Sequence, residues 1–221
     1  MERTGPGEEM FVARVTYEFL GPVPLAPLSA RATIVKPGKR LQIVEAELSS
    51  EDRRVALARA VRLRRGVVEL PAESLAQGDP PPGPENGHTA PFPDQTGDRG
   101  FHRTAMEISW LEGSYAERGP ARAWFRLRIP VVAEEEPTPL QRAVAAADFG
   151  NGVSRVLDFG SHLFVNTDLT VHLHREPVGE WVLLDSLTVA DPAGAGLATS
   201  ALSDATGTIG LAAQTLYVDE R

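Results

Sequence analysis

Cysteine is missing from this 221-residue sequence. Its absence excludes disulfide bonds, thiolate metal sites and a cysteine nucleophile. Long apolar runs are also missing, since none approaches the roughly 20 residues that a membrane-spanning helix requires. The opening MERTGPGEEM has neither the basic part nor the apolar part of an export signal. We therefore expect a cytoplasmic protein that does not insert into membranes.

Basic residues are scarce relative to acidic ones. Lys and Arg number 22 against 30 Asp and Glu, which gives a net charge of −8. Such a surface is a poor partner for nucleic acid, because affinity for phosphates comes from clustered cations. The basic run RAVRLRR at Arg59–Arg65 alternates with apolar residues, so it predicts a strand with one solvated basic face. Two phosphate-binding motifs, GxGxxG after a strand and GxxxxGK[ST], are absent.

The organisation of the chain is marked by one biased segment. Residues 66–100 contain QGDPPPGPENG and APFPDQTGDRG, which are rich in Pro, Gly and acidic residues and show no periodicity. This composition indicates a linker or a long irregular crossing. It divides the chain into residues 1–65 and residues 101–221. We expect one structural repeat in each, for the reasons given below.

The first part is predicted to be a series of strands. FVARVTYEFL alternates apolar and polar residues and then breaks at Gly21 and Pro22. Alternation with period two is typical of half-buried strands. Three more such runs follow, separated by the turns KPGK and SSEDRR: SARATIV, LQIVEAEL and VALARAVRL.

The second part is predicted to contain one strand, one helix and four more strands. ARAWFRLRIPVV at Ala121–Val132 is the first strand, and a helix starts near Pro139 after the capping residue Thr138, with Gln141 three residues further on. The four later strand-like runs are LFVNTDLTVHLH, GEWVLLDSLTVAD, GLATSALS and GTIGLAAQTLYV.

The two parts are related to each other. VTYEFLGPVP from Val15 matches LTVHLHREPVG from Leu169, and the strand runs that follow match in order. Only the second part has a strand and a helix ahead of this set. The first repeat is therefore predicted to lack its initial strand and helix.

The helix LQRAVAAADFGNG carries an aspartate where an apolar residue is expected. Leu140, Val144 and Asp148 are spaced by four residues, so a continuous helix would stack them on one apolar face. A carboxylate there is costly unless it has a partner, and such acids are common at sites of chemistry. The alternative is that the helix stops here, with Gly150 and Gly152 as a C-terminal cap that leaves Asp148 half exposed.

Four stretches together resemble one enzyme family: VTYEFLGPVPL, PLQRAVAAADFGNGVS, FVNTDLTVHLHREPVGEWV and GLATSALSDATGTIGLAAQTL. Their order and spacing resemble the actinobacterial branch of the acyl-CoA thioesterases of the bacterial type II (TesB-like) group. The resemblance covers nearly the whole chain apart from the linker. It implies an α+β double-hotdog fold, in which curved antiparallel sheet surrounds central helices twice in one chain.

The resemblance also implies catalytic residues. In the family, an Asp on the second central helix, a Gln on the last strand and a Ser or Thr on an intervening strand hold and polarise a water molecule. These positions correspond to Asp148, Gln214 and Asn166. Asn166 departs from the family pattern, although an amide can also donate to and accept from water. No cofactor is implied.

Strand periodicity supports Gln214 and argues against Asn166. Gln214 is in register with Ala212, Leu216 and Val218, so it is a polar group on an apolar face. Asn166 shares its parity with Asp168, and it points away from the core unless a bulge intervenes. In the first repeat the position of Gln214 is taken by Arg59 or Ala60, so one active site per chain is expected.

Other polar residues are weaker candidates for chemistry. His172, His174 and Asp168 could share a metal on one strand face, but without a further ligand a solvated or interfacial face is the simpler interpretation. Asp204 in SDATG is predicted to be a turn residue. The serines have no GxSxG motif around them, which disfavours a serine hydrolase.

A hotdog sheet without its central helix would expose a broad apolar surface. We therefore hypothesise that Met1 is an internal methionine and that the natural protein begins upstream; the in-frame codons ahead of Met1 test this. If the short chain is complete, a partner chain or a rearranged helix must cover the surface.

These inferences predict an enzyme that hydrolyses acyl-CoA to free acid and CoA, and that forms homo-oligomers as many relatives do. The alternative is a non-catalytic hotdog protein that binds acyl-CoA or a protein partner. A hotdog hydratase is disfavoured, because no arrangement like Asp-x-x-x-Pro-x-His is present.

Overall fold

The structure is a computed structural model that describes residues 1–2, 4–5, 10–75, 79–91 and 100–221. The predictions for residues 76–78 and 92–99 of the linker, and for residues 3 and 6–9 of the opening, lie outside the described residues. None of the helices within the described ranges is long and apolar enough to cross a membrane.

The first repeat forms four antiparallel strands, as its alternating pattern predicts. Burial alternates along them only locally: β3 buries Gln42 and Val44, and β4 buries Ala60 and Arg62. Strand β1 buries Val12 and Val15 on either side of a register shift, and β2 has no buried residue. Their spatial order is β2-β3-β4-β1, and their bounds are β1 (Met10–Phe19), β2 (Ser29–Lys36), β3 (Leu41–Ser50) and β4 (Arg53–Arg64).

The second repeat contains more elements than the sequence pattern predicts. A strand precedes the predicted one at Ala121, and the run LFVNTDLTVHLH forms two strands instead of one. The elements are α1 (Phe101–Thr104), β5 (Met106–Glu112), β6 (Ala121–Leu127), α2 (Pro139–Ala147), α3 (Gly150–Val153), β7 (His162–Asn166), β8 (Asp168–Leu173), β9 (Trp181–Asp191), β10 (Ala195–Asp204) and β11 (Gly207–Glu220).

All strands join in one antiparallel sheet in the order β2-β3-β4-β1-β8-β11-β10-β9-β6-β5, with β7 paired to β11. Strands β1 and β8 connect the two repeats, with Val15 opposite Val171. Both side chains are buried, so we call their side of the sheet the inner face and the opposite side the outer face. Helices α2 and α3 pack on the inner face of the second repeat.

Helix α2 begins where the sequence predicts. The Thr138 hydroxyl accepts the backbone N–H of Gln141 at 3.2 Å, and the Gln141 side chain accepts the backbone N–H of Thr138 at 3.0 Å. This reciprocal cap stabilises a helix by about 1 kcal/mol. The buried face of α2 consists of Leu140 and three alanines, which let the helix lie close to the sheet.

Part of the linker is a docked segment. Between residues 79 and 91, Pro82 C=O accepts the indole N–H of Trp124 at 2.8 Å, and Pro84 C=O accepts the Ser109 hydroxyl at 2.6 Å. His88 forms an antiparallel bridge with Trp110 on β5. The segment therefore lies against Trp124 and pairs with the edge strand β5 at Trp110.

Asp204 is the last residue of β10, directly before the turn at residues 205 and 206, so the prediction of a turn residue is wrong by one position; its side chain is fully buried. Its carboxylate accepts two hydrogen bonds from the Arg175 guanidinium and further bonds from Val178 N–H and from the N–H and hydroxyl of Thr206. Burial pushes the pKa of Asp204 upward, but these donors outweigh it and hold the pKa well below the usual range. This cluster joins the turn after β8 to the turn between β10 and β11.

We expect Asp204→Ala to lower the free energy of unfolding by roughly 3 kcal/mol, because it leaves Arg175 without its partner. Urea unfolding at pH 7 measures this. Since the folded pKa is lowered, the loss should be full above about pH 4 and should shrink as pH falls further.

The matched control is Glu45→Ala, which removes an ion pair with Arg59 in which both side chains are about half exposed. Its cost should be about 0.5 kcal/mol, as is typical of surface pairs. Equal losses for the two variants would contradict the structural role of Asp204.

Candidate active site

The first feature of the site is an interruption between α2 and α3 at residues 148 and 149, which we call the α2–α3 break. Helix α2 ends at Ala147, and the N–H of Phe149 bonds to Ala146 C=O at 3.0 Å, which tightens the last turn. Asp148 is therefore the C-cap of α2 and is accessible to solvent. Of the two alternatives, the continuous dry face is wrong and the helix stop is right, although Gly150 and Gly152 lie in α3 instead of forming a C-terminal cap.

The second feature is a bulge that turns Asn166 inward. Asn166 pairs with Leu216 and Thr170 pairs with Ala213, so four residue steps on β7 and β8 lie against three on β11. The extra residue reverses the parity of the strand, and Asn166 joins the buried Leu216 on the inner face. The sequence pattern did not decide whether a bulge is present here, and the structure contains one.

The bulge is held from both sides. The N–H of Thr167 donates to Thr215 C=O at 2.9 Å, and Thr167 C=O accepts the N–H of Phe19 at 2.9 Å. Phe19 ends β1, so the first repeat contributes directly to the backbone that positions Asn166.

Asn166 contacts Asp148 directly. Its Nδ2 donates to the Asp148 carboxylate at 3.2 Å. Desolvation by the surrounding protein raises the pKa of Asp148, although solvent still reaches the side chain, and the Asn166 hydrogen bond partly offsets this rise. The Asp148 carboxyl is thus partly desolvated but still accessible, so it can be both basic and reachable by a substrate.

Gln214 spans the α2–α3 break. Its Oε1 accepts the backbone N–H of Asn151 at 2.9 Å, and its Nε2 donates to the backbone C=O of Asp148 at 3.2 Å. Only 1% of the residue is exposed. One N–H and one lone pair of the carboxamide are left for a further partner.

The structure therefore brings the three predicted residues, Asp148, Asn166 and Gln214, to one place on the inner face. The sequence did not predict that the backbone N–H of Asn151 donates to Gln214. It also did not predict that Gly150 lies beside this contact. The motif GNG was available as a signal, since paired glycines next to an acid often mark a close backbone approach.

The described residues of the first repeat hold no equivalent site. In the pairing of β1 with β4, Ala60 occupies the place that Gln214 takes in the second repeat, and Val12 takes that of Asn166. Both are buried and apolar. Of the alternatives left open by the sequence, the structural equivalent of Gln214 is Ala60.

The outer face of β8 holds the other polar candidates. His172 and His174 are exposed there, and an Asp168 oxygen accepts the N–H of Thr215 at 3.4 Å. Across the described part of the chain, no three His, Asp or Glu residues are close enough to share a metal ion.

Sequence models of two domains match the chain. The acyl-CoA thioesterase N-terminal domain matches residues 1–63, and the acyl-CoA thioesterase C-terminal domain matches residues 80–218. The chain therefore belongs to the acyl-CoA thioesterase family, as the resemblance predicts. The members of this family are thioester hydrolases. Among curated proteins, no sequence matches it.

Solved structures with similar folds include three bacterial proteins. A TesB protein from Mycobacterium avium subspecies paratuberculosis is 16% identical, with a TM-score of 0.63 over 96% of this chain and 80% of that one. Acyl-CoA thioesterase II TesB2 from Mycobacterium marinum is 15% identical, with a TM-score of 0.67 over 97% and 82%. A hot dog fold protein of unknown function from Alicyclobacillus acidocaldarius is 18% identical, with a TM-score of 0.69 over 94% and 78%. The predicted double-hotdog fold is confirmed.

The hydrogen bond from Asn166 predicts a pH effect. In Asn166→Ala the contact that lowers the pKa of Asp148 is lost, so the pKa should rise further. If ionised Asp148 is the required base, the acidic limb of the pH profile of kcat/KM should move to higher pH. Activity measured from pH 4 to 9 with an acyl-CoA substrate tests this.

Val165→Ala is the control, because Val165 precedes Asn166 and is exposed on the outer face. Its acidic limb should match that of the wild type. A limb that stays in place in Asn166→Ala would contradict the assigned contact.

Proposed function

We propose that this protein hydrolyses acyl-CoA thioesters to a free acid and CoA by means of a water molecule that Asp148 activates. Family membership supports the reaction class. The observation that carries the mechanism is the convergence of Asp148, Asn166 and Gln214 at the α2–α3 break.

Asp148 acts as the general base. Its carboxylate takes a proton from water while the water oxygen attacks the thioester carbonyl carbon. The C–S bond then breaks, and the proton passes to the CoA thiolate, so the carboxylate is regenerated. A carboxylate with a raised pKa suits this role, because proton transfer is most efficient when the pKa of the base approaches the working pH.

The two amides orient the water. Asn166 donates Nδ2 to Asp148, which leaves its Oδ1 able to accept from water. Gln214 has one N–H to spare after its two backbone contacts. Neither amide competes for the proton at neutral pH, so both can fix the direction of attack without acting as a base themselves.

We expect Asp148→Asn to lower kcat by about 100- to 10,000-fold, the range for loss of a general base. Its melting temperature should equal or exceed that of the wild type, because the substitution removes a charge whose desolvation raises the pKa. CoA release from acyl-CoAs of several chain lengths measures the activity.

Asp185→Asn is the control, since Asp185 is exposed on β9 and pairs with Arg122. It should keep wild-type activity. If the wild type releases no CoA from any chain length, the hydrolytic proposal fails, and the non-catalytic binding alternative is favoured.

We also propose that the chain forms homo-oligomers through the outer face of β7, β9, β10 and β11. Six large apolar side chains are between 43% and 53% exposed there: Val165, Leu187, Val189, Leu197, Leu211 and Tyr217. Four strands about 4.8 Å apart and about 20 Å long give roughly 400 Å² of flat surface, about half of what one partner buries in a stable interface. We assign this surface to a second copy. The six side chains are uncharged, whereas the net charge of −8 opposes association of two copies through charged parts of the surface.

Leu211→Glu should convert the oligomer to a monomer, because it places a charge on the apolar area. Light scattering coupled to gel filtration measures the mass. The matched control is Leu57→Glu, since Leu57 occupies the equivalent position in the first repeat but lies between Glu18 and Glu47. An oligomer that persists in Leu211→Glu, or a monomeric wild type, would contradict this surface.

A further inference from the structure

A layer of polar side chains lies beneath α3, inside an otherwise apolar core. The hydroxyls of Ser186 and Ser200 are 2.8 Å apart, and those of Ser154 and Thr188 are 2.7 Å apart. All four residues are buried. Hydroxyls in a core are favourable only when they are hydrogen-bonded. These four form two hydrogen-bonded pairs where α3 packs on β9 and β10.

The layer includes Ser154, the C-cap of α3, whose hydroxyl reaches back to the first residue of the helix. The Ser154 hydroxyl donates to Gly150 C=O at 2.8 Å, while Gln214 accepts the N–H of the next residue, Asn151, at 2.9 Å. The backbone at Gly150 is thus bonded on one side by Ser154 and on the other by Gln214. Its depth on the sheet is defined by side chains of the layer and of β11.

Gly150 lies too close to the layer for any side chain. A Cβ at this position would lie 2.8 Å from Ser200 Oγ and 3.1 Å from Gln214 Oε1. Contacts below 3.0 Å force a displacement, and Ser200 cannot turn away without losing its bond to Ser186. Gly152, two residues further along α3, has nothing within 4 Å of a Cβ.

We propose that Gly150 is a positioning residue: because it has no side chain, α3 can lie against Ser200, and this close approach sets the depth of the α2–α3 break on the sheet and holds Asp148 against Asn166. The inference rests on the proposed function of Asp148. Gly150 is two residues from Asp148, and Gln214 bonds the backbone on both sides of Gly150. A shift of α3 away from the sheet therefore moves Asp148 away from Asn166, which lies on the sheet.

Four proteins test the proposal: Gly150→Ala, Gly152→Ala, Ser200→Ala and the double variant Gly150→Ala/Ser200→Ala. Gly150→Ala should lower kcat on the order of 10-fold with KM within about twofold, because small displacements of a catalytic group mainly affect the chemical step. Gly152→Ala should keep wild-type kcat, since both glycines are helical and only Gly150 is crowded.

The double variant should regain several-fold of the lost kcat, because removing Ser200 Oγ relieves the 2.8 Å contact. Ser200→Ala alone should change kcat by less than about threefold. A purely structural role for Gly150 predicts a lower melting temperature with no rescue of kcat. Equal kcat in Gly150→Ala and Gly152→Ala, or a double variant no better than Gly150→Ala, would overturn the proposal.

A second readout does not depend on turnover. The carboxyl ¹³C signal of Asp148, identified through Asp148→Asn, reports the pKa of this group during a pH titration. In Gly150→Ala the pKa should rise, because the Asn166 bond that lowers it is lengthened; it should return in the double variant and stay unchanged in Gly152→Ala. An inactive wild type refutes the proposed function, whereas an unchanged titration in Gly150→Ala refutes the positioning role.

Discussion

The two hydrogen bonds of the Gln214 side chain with the α2–α3 break are the interaction on which the site depends. A helix that stops at Ala147 leaves carbonyl and amide groups without helical partners, and such groups must be satisfied where they are buried. Gln214 supplies an acceptor to Asn151 N–H and a donor to Asp148 C=O. An amide side chain can do both at once, because its donor and its acceptor lie at separate ends. One buried residue of the last strand therefore stabilises the interruption of the helix. This interruption is what makes Asp148 accessible to solvent.

Comparison of the two repeats separates the scaffold from the chemistry. Strand β1 has an irregularity between Val12 and Arg14 where it pairs with β4, at the place that corresponds to the bulge before β8. The backbone device is thus common to both repeats, and only the second carries an amide on it. The first repeat supports the site through β1, because the N–H of Phe19 bonds the bulged residue Thr167. A repeat without catalytic residues can therefore still determine the geometry of the active one.

Much of the fold and part of the site could be predicted from local sequence patterns. The capped start of α2, the strand alternation and the inward direction of Gln214 all depend on neighbours a few residues away, and the structure has them as expected. Asn166 could not be placed, because its direction depends on a bulge that is fixed by hydrogen bonds to β1 and β11, both distant in sequence. The exposure of Asp148 was left open as one of two alternatives for the same reason, since the partner that stabilises the helix end is 66 residues away. The docked part of the linker has no periodicity, so only its contacts with Trp124 and Ser109 reveal it.

The replacement of a hydroxyl by Asn166 is compatible with the chemistry. A base must be ionised to act, so desolvation that raises the pKa of Asp148 helps proton transfer only until the charged form becomes rare. A donor on the carboxylate opposes that rise. A hydroxyl can rotate and present either its proton or its lone pairs, whereas a carboxamide has donor and acceptor at fixed ends. With Nδ2 directed at the carboxylate at 3.2 Å, the Oδ1 end of Asn166 is available to accept a proton from water, so one side chain can stabilise the charged base and orient the nucleophile.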